Sequence, residues 1–234
     1  MASTRRRMMQ RKMRTSGADG GRRPRNAGGT EAAAPRDTRT RLLDAALELF
    51  DEHGFEGFTV HAVVAQSGIS LGSLYHHFGS MDGLSAALYS RCMGRLLDDI
   101  GAALDGAGEE KSLKTRPKGP RALIVAIVRS YLAFTARERT AAMFIHLSPS
   151  ERFLPAHAAS IAADKAPRLE RITRAIRPHV RSGAIARLPE PLLEMLIIGP
   201  AAEIARRWLS GAPGIDLEEA SRLVPERIWR SVRA

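Results

Sequence analysis

The side chains best equipped for chemistry in this 234-residue chain crowd into residues 57–81. Thr59, Ser70, Ser73 and Tyr75 supply hydroxyls there, and His61, His76 and His77 supply imidazoles. No Lys or Arg lies between Glu56 and Asp82. The chemistry on offer is hydrogen bonding, with an imidazole charge added at mildly acidic pH. Catalytic signals are missing from the chain. It has no Gly-rich phosphate loop and no His-Glu-x-x-His pair, and its one Gly-x-Ser-x-Gly string, Gly68-Ile69-Ser70-Leu71-Gly72, joins two helical patterns without the preceding strand that a nucleophile elbow requires. On a helix, neighbouring His76 and His77 project about 100° apart and cannot grip one metal together. A single cysteine, Cys92, allows no thiolate cluster. The expectation is a binding protein rather than an enzyme, with no metal and no cofactor.

The elements that must carry these groups are two short helices and a tight turn. Thr59 and Ser70 each stand where a hydroxyl can accept from the free N–H groups of a following first turn. Gly68 lies between them, where a chain reversal favours a residue without Cβ. Val60, Val63 and Val64 form one apolar stripe, and Leu74 with Phe78 forms another. This is the pattern of a helix-turn-helix, whose second helix can lie in a DNA major groove. A helix starting at Asp37 or Thr38 precedes it, with Leu42, Leu43, Ala45, Ala46, Leu49 and Phe50 at helical spacing and Gly54 as a left-handed cap. Ser80 opens a long helix to about residue 105, helped by Asp82 near its positive end.

Residues 38–93 resemble the TetR family of bacterial transcriptional regulators. The pieces that carry the resemblance include Leu42-Leu43-Asp44-Ala45-Ala46, Gly54-Phe55, Phe58-Thr59-Val60, Ser67-Gly68-Ile69-Ser70 and Gly72-Ser73-Leu74-Tyr75-His76-His77-Phe78. The resemblance implies a three-helix DNA-reading head on a helical body. The body would dimerise through its last two helices and hold a small-molecule pocket. It also implies that Thr59, Ser73, Tyr75 and His77 touch phosphates, with Ser70 at the start of the reading helix. Leu71, Gly72 and His76 would then face base edges. Two positions depart from the family's habit. Leu71 stands where a basic or polar base-reader is common, and Met81 where a phosphate-binding Lys is usual. A head without formal positive charge has a weak counterion-release contribution. Either Arg39, Arg41 and the N-terminal tail supply it, or His61, His76 and His77 do so when protonated.

Charge is distributed accordingly. Residues 1–41 hold 12 Lys or Arg and 3 Asp or Glu, and the rest of the chain holds 24 and 22. Residues 1–36 have no apolar periodicity and read as a disordered basic tail. That tail is either a phosphate-gripping arm or an overlong start, with Met8, Met9 and Met13 available as later starts. Residues 37–80 read as the DNA-binding domain and 81–234 as the helical ligand-binding and dimerisation domain, an all-α chain. A polar linker is expected over 106–120, then helices near 121–137, 158–181, 190–210 and 216–231. Short pieces fill 140–154, and Pro167, Pro178 and Pro225 are expected to break or bend the chain.

Pocket candidates are Tyr131, Phe134, Met143, Phe144, His146 and Trp208, each of which could equally be core. The helix at 190–210 is apolar nearly all round and must be covered on every side. With what the resemblance implies, Leu193, Ile197, Ala201, Ile204, Trp208, Leu217, Val224 and Ile228 are expected at a two-fold dimer interface, the alternative being that both helices are ordinary body core. Expected partners are double-stranded DNA, a second copy of the chain and a small hydrophobic effector, with no membrane. The expected compartment is the cytoplasm, with which one cysteine is consistent. Two alternatives stay open: a TetR-like DNA binder without an effector, and a sequence-indifferent nucleic-acid binder driven by the tail.

Overall fold

The structure, a computed structural model, describes residues 37–234. The reading of residues 1–36 as a tail lies outside them. Among the described residues the architecture is helical: α1 Thr38–His53, α2 Val60–Ser67, α3 Leu71–Phe78, α4 Met81–Asp105, α5 Gly119–Arg137, α6 Arg139–Leu147, α7 Leu154–Arg181, α8 Glu190–Leu209 and α9 Leu217–Val232. Single 3-10 turns at Lys111–Leu113 and Ser150–Arg152 interrupt the connections. One isolated bridge, Ile185 to Arg233, ties the α7–α8 loop to the C-terminus.

The starts of the first four helices follow from side-chain caps. Asp37 accepts from the Thr40 N–H at 2.6 Å, Thr59 from Ala62 at 3.2 Å, Ser70 from Ser73 at 3.3 Å and Ser80 from Gly83 at 3.0 Å. Each satisfies a donor that the helix itself leaves free. Gly68 closes α2 in the left-handed region at φ 65°, ψ 22°. Gly54 departs from the expected helix end. Its φ is 64° but its ψ is −162°, outside the left-handed helical region, and the chain reaches α2 through the turn at residues 54–57.

One expectation for the body holds and one is corrected. The segment 140–154 is built of short pieces, the nine-residue α6 and the turn at Ser150–Arg152, and α6 buries Ala141, Ala142, Phe144 and Ile145 on one face. Helix α7 runs unbroken through Pro167 and Pro178. Both prolines are exposed, so the carbonyl that each leaves unpaired one turn earlier can turn to water. Helix α9 likewise continues through the buried Pro225.

One hydrophobic core runs from α1 into α9 without a gap at residue 80. Its junction is aromatic. Phe144 of α6 meets Phe50 of α1 edge-on at 5.0 Å and Phe58 at 5.9 Å, then stacks on Phe153 at 6.4 Å. Around that seam Arg91 of α4 pairs with Asp44 of α1, and Thr140 of α6 donates to Asp51 of α1. Arg95 of α4 pairs with Glu138 at the α5–α6 corner. Thus α4 and α6 both grip α1.

Candidate nucleic-acid interface

Helix α3 exposes Leu71, Gly72, Tyr75, His76 and His77, five of its eight residues. Leu74 is fully buried, Phe78 is half-buried, and the two fix the helix to α1, α2 and α4. That anchorage turns Leu71, Gly72, Tyr75 and His76 outward at positions i, i+1, i+4 and i+5, which share one helix face. Leu71 is 42% exposed and Tyr75 46%. Exposed apolar area of this kind is costly unless something covers it. The hydroxyls of Thr59 and Ser70 are spent on capping, although an oxygen that accepts one N–H can still donate its proton. Ser73 is half-buried and His77 exposed. The rings of His76 and His77 are 5.4 Å apart at 70°, as divergent as their adjacency requires.

Gly72 is the least explained residue of this face by internal packing. A Cβ built on it would meet nothing within 4 Å, and its φ lies outside the positive region. Neither the fold nor the backbone requires glycine there. An external surface approaching α3 closely would.

The basic residues flanking this face are engaged within the protein. Arg41 donates to the Ser67 carbonyl at 2.9 Å and so closes the C-terminus of α2. Arg39 lies over the Phe78 ring, 5.5 Å from its centre. Both remain exposed, and a guanidinium has five donors, so each can also reach outward. Asp37 sits in the same group. Its carboxyl is held below the ordinary value, first by the Thr40 backbone and side-chain hydrogen bonds, with Arg39 and His77 contributing.

In the body, a cavity of about 460 Å³ opens between α4, α5, α7 and α8. Met93, Leu97 and Ile100 line one wall, Leu169 and Ile172 another, and Ile197 and Ile198 a third. Of the six sequence-based pocket candidates only Tyr131 lines it. Phe134 and Phe144 are fully buried core, the latter in the aromatic seam. Met143 packs against the core, and Trp208 lies beneath the Arg139 guanidinium at 4.8 Å. His146 sits behind Tyr131, 3.1 Å from its hydroxyl. Burial, reinforced by the Arg206 charge, lowers the His146 pKa to about 4. Burial likewise pushes the Tyr131 phenol up. Both are therefore neutral at pH 7. Sequence reasoning favoured aromatic residues and so overlooked the aliphatic rows, although Met93, Leu97 and Ile100 show helical spacing.

The dimer candidates are also redistributed. Leu193, Ile197, Ala201, Leu217 and Ile228 are buried inside the protomer. Ile204, Trp208 and Val224 are half-buried against its core. A helix apolar on all sides has an inner and an outer face, and these residues occupy the inner one. The outer face carries Leu192, Met195 and Leu196, with Gly199 and Pro200 continuing the row, and Leu223 stands exposed on α9. Met195 is 67% exposed, whereas Ile197 is 2%.

Residues 42–88 match the family model described as bacterial regulatory proteins, tetR family. The chain is 36% identical over 98 residues to the transcriptional regulator UidR of Escherichia coli (strain K12), covering 39% of this chain and 50% of that protein. It is also 36% identical over 66 residues to the transcriptional repressor AcnR of Corynebacterium glutamicum, covering 28% of this chain and 35% of the relative. The match therefore spans about half, or less, of the length of these relatives. The fold is shared more widely. The regulator FadR of Bacillus subtilis, solved in complex with stearoyl-CoA, superimposes with a TM-score of 0.59 at 20% identity, covering 81% of this chain and 96% of that one. No described helix is long and apolar enough to cross a membrane.

Proposed function

We propose that this chain, a member of the TetR family of bacterial regulators, is a homodimeric transcriptional repressor that reads a palindromic duplex and lets go when a small hydrophobic molecule enters its body. The observation that carries the reading is the outward face of α3. It is anchored from beneath by Leu74, capped by Ser70, and bare at Gly72. In a major groove, Leu71 and Gly72 would lie against base edges, where apolar contact with thymine methyls and close backbone approach are available. His76 would lie alongside them. Thr59, Ser70, Ser73, Tyr75 and His77 would donate to phosphates, with Arg39 and Arg41 adding charge at the edge.

One such head reads too few bases for useful discrimination, and two-fold pairing doubles the reading. The exposed apolar row of α8, with Leu223 of α9, is the surface that supports pairing. Release follows from α4. The same helix lines the cavity with Met93 and Leu97 and grips α1 through Arg91 and Asp44. A ligand that favours one position of α4 also favours one position of the head, which is what a coupling free energy requires. The cavity favours this account over an effector-free regulator. A cytoplasmic location follows from the proposed DNA target.

Anisotropy of a labelled duplex carrying a selected site tests the reading. Tyr75→Ala is expected to weaken binding by about tenfold or more without loss of helicity. Unchanged affinity would remove α3 from the interface. It would favour the sequence-indifferent, tail-driven alternative.

A further inference from the structure

Gly199 stands where α8 has least reason to carry a glycine. It is the tenth of twenty helical residues, its φ is not positive, and a Cβ built on it would meet nothing within 4 Å. Glycine in a helix interior is less favourable than alanine, and neither the backbone nor the packing of the described protomer offsets that. One turn earlier on the same ridge stands Met195, 67% exposed, with Leu192 and Leu196 exposed beside it. The outward face of α8 therefore carries a protruding side chain and a bare backbone at i and i+4, a knob next to a hole. The apolar row from Leu192 to Pro200 spans about 12 Å, the width of one helix. Past it the face is charged, with Glu203 held by Arg206 at 2.9 and 2.8 Å and by Arg207 at 2.6 Å. A patch of that length suits a helix that crosses α8 rather than one lying along it.

Helix α9 shows which helix that is. Glu219, Leu223 and Arg227 follow one another at i, i+4 and i+8, and all are exposed. Opposite charges thus lie one turn to either side of an exposed leucine. Glu219 reaches Arg222 only at 3.8 Å, and Arg227 has no ion pair among the described residues. A face with this sign pattern complements itself when turned end for end, and so do a knob and a hole one turn apart. Gly199 and Leu223 both lie near the middle of their helices, and the bridge from Ile185 to Arg233 sets the start of α8 beside the end of α9. One two-fold axis can therefore serve both. We infer that a second copy of this chain covers this face, α8 crossing α8 with Met195 of each protomer seated on Gly199 of the other, and Glu219 of each pairing with Arg227 of the other. This rests on the homodimer proposed above and specifies its register. Glycine at the crossing lets the two axes approach to about 8 Å.

Sedimentation of the full chain without DNA measures the dimer. Gly199→Leu adds a side chain for which the protomer has room, so helicity should be kept while dimerisation weakens by about a hundredfold, from two overpacked contacts. Glu219→Arg alone and Arg227→Glu alone should each weaken it by about tenfold, from two exposed pairs per dimer. Both changes in one chain should restore the parent value. Met195→Cys and Gly199→Cys proteins, mixed and oxidised, should link about fivefold faster than either does alone, because the mixed pair brings two Cβ atoms within disulfide reach. Cys92 is buried and does not compete. A Gly199→Leu dimer as tight as the parent, a charge swap that fails to rescue, or linkage no faster in the mixture would overturn this register and leave the homodimer standing. Should Gly199→Leu lose helicity, the charge swap and the cysteine pair decide. A parent chain that sediments as a monomer would overturn the homodimer, and this inference with it.

Discussion

Replacing Gly72 with alanine separates folding from recognition at a single atom. Gly72 is the second residue of α3, its φ is not positive, and a Cβ there has nothing within 4 Å. An added methyl group therefore strains nothing. It restricts the unfolded chain and raises helix propensity, gains worth about 0.5 kcal/mol at such a site. For a unit of this size that corresponds to a rise of about 1–2 °C in Tm. The same methyl group would hold the α3 backbone away from a base edge. At about 1 kcal/mol per spoiled contact and two heads, the loss is about 2 kcal/mol, or ~30-fold in Kd. Differential scanning calorimetry and duplex anisotropy measure the two effects on one sample. Gly68 supplies the contrast, since its φ of 65° is strained for alanine, and Gly68→Ala should cost about 1 kcal/mol of stability. A Gly72→Ala protein that is less stable than the parent, or that binds DNA equally well, would refute the reasoning.

Three further outcomes follow from the described geometry. Met195→Glu with Leu223→Glu should yield a folded monomer by analytical ultracentrifugation, whereas Ile197→Glu should unfold the protein, because only the first two residues lie on the outer face. His146 has its pKa depressed to about 4 by burial, so the unfolded chain binds its proton first. Stability should be complete above the unfolded value near pH 6.5 and fall by about 3 kcal/mol as pH drops to 4. His146→Gln should flatten that part of a pH-dependent chemical denaturation series. Cys92 is buried and its thiol is pushed up to about 12, so a thiol-reactive dye at pH 8 should label the native protein no faster than its unfolding allows.

The head was legible because its signals are local. Thr59, Gly68 and Ser70 each act within four residues of chain, and all three perform the capping or turning that their positions suggest. The body was legible only as helices. Which side of α8 faces inward depends on the packing of α5, α6 and α9 against it, and nothing within residues 190–209 records that. Leu193 and Met195 are equally apolar in the sequence, yet one is core and the other exposed. The cavity was harder still. A void is bounded by residues from four helices, and its wall is made of the same leucines and isoleucines that fill a core. Its few polar residues, Lys165 of α7 with Glu190 and Glu194 of α8, border one space only once α7 and α8 are side by side.

The central claim is that two copies of α3 read an inverted repeat. Selection of bound duplexes from a random library, with the full chain and with residues 1–36 deleted, tests it most directly. The account predicts one inverted repeat enriched by both proteins, its half-sites about one helical turn apart, with a shallower salt dependence after the deletion. Enrichment by neither protein, with tight binding only when the basic residues are present, would contradict it.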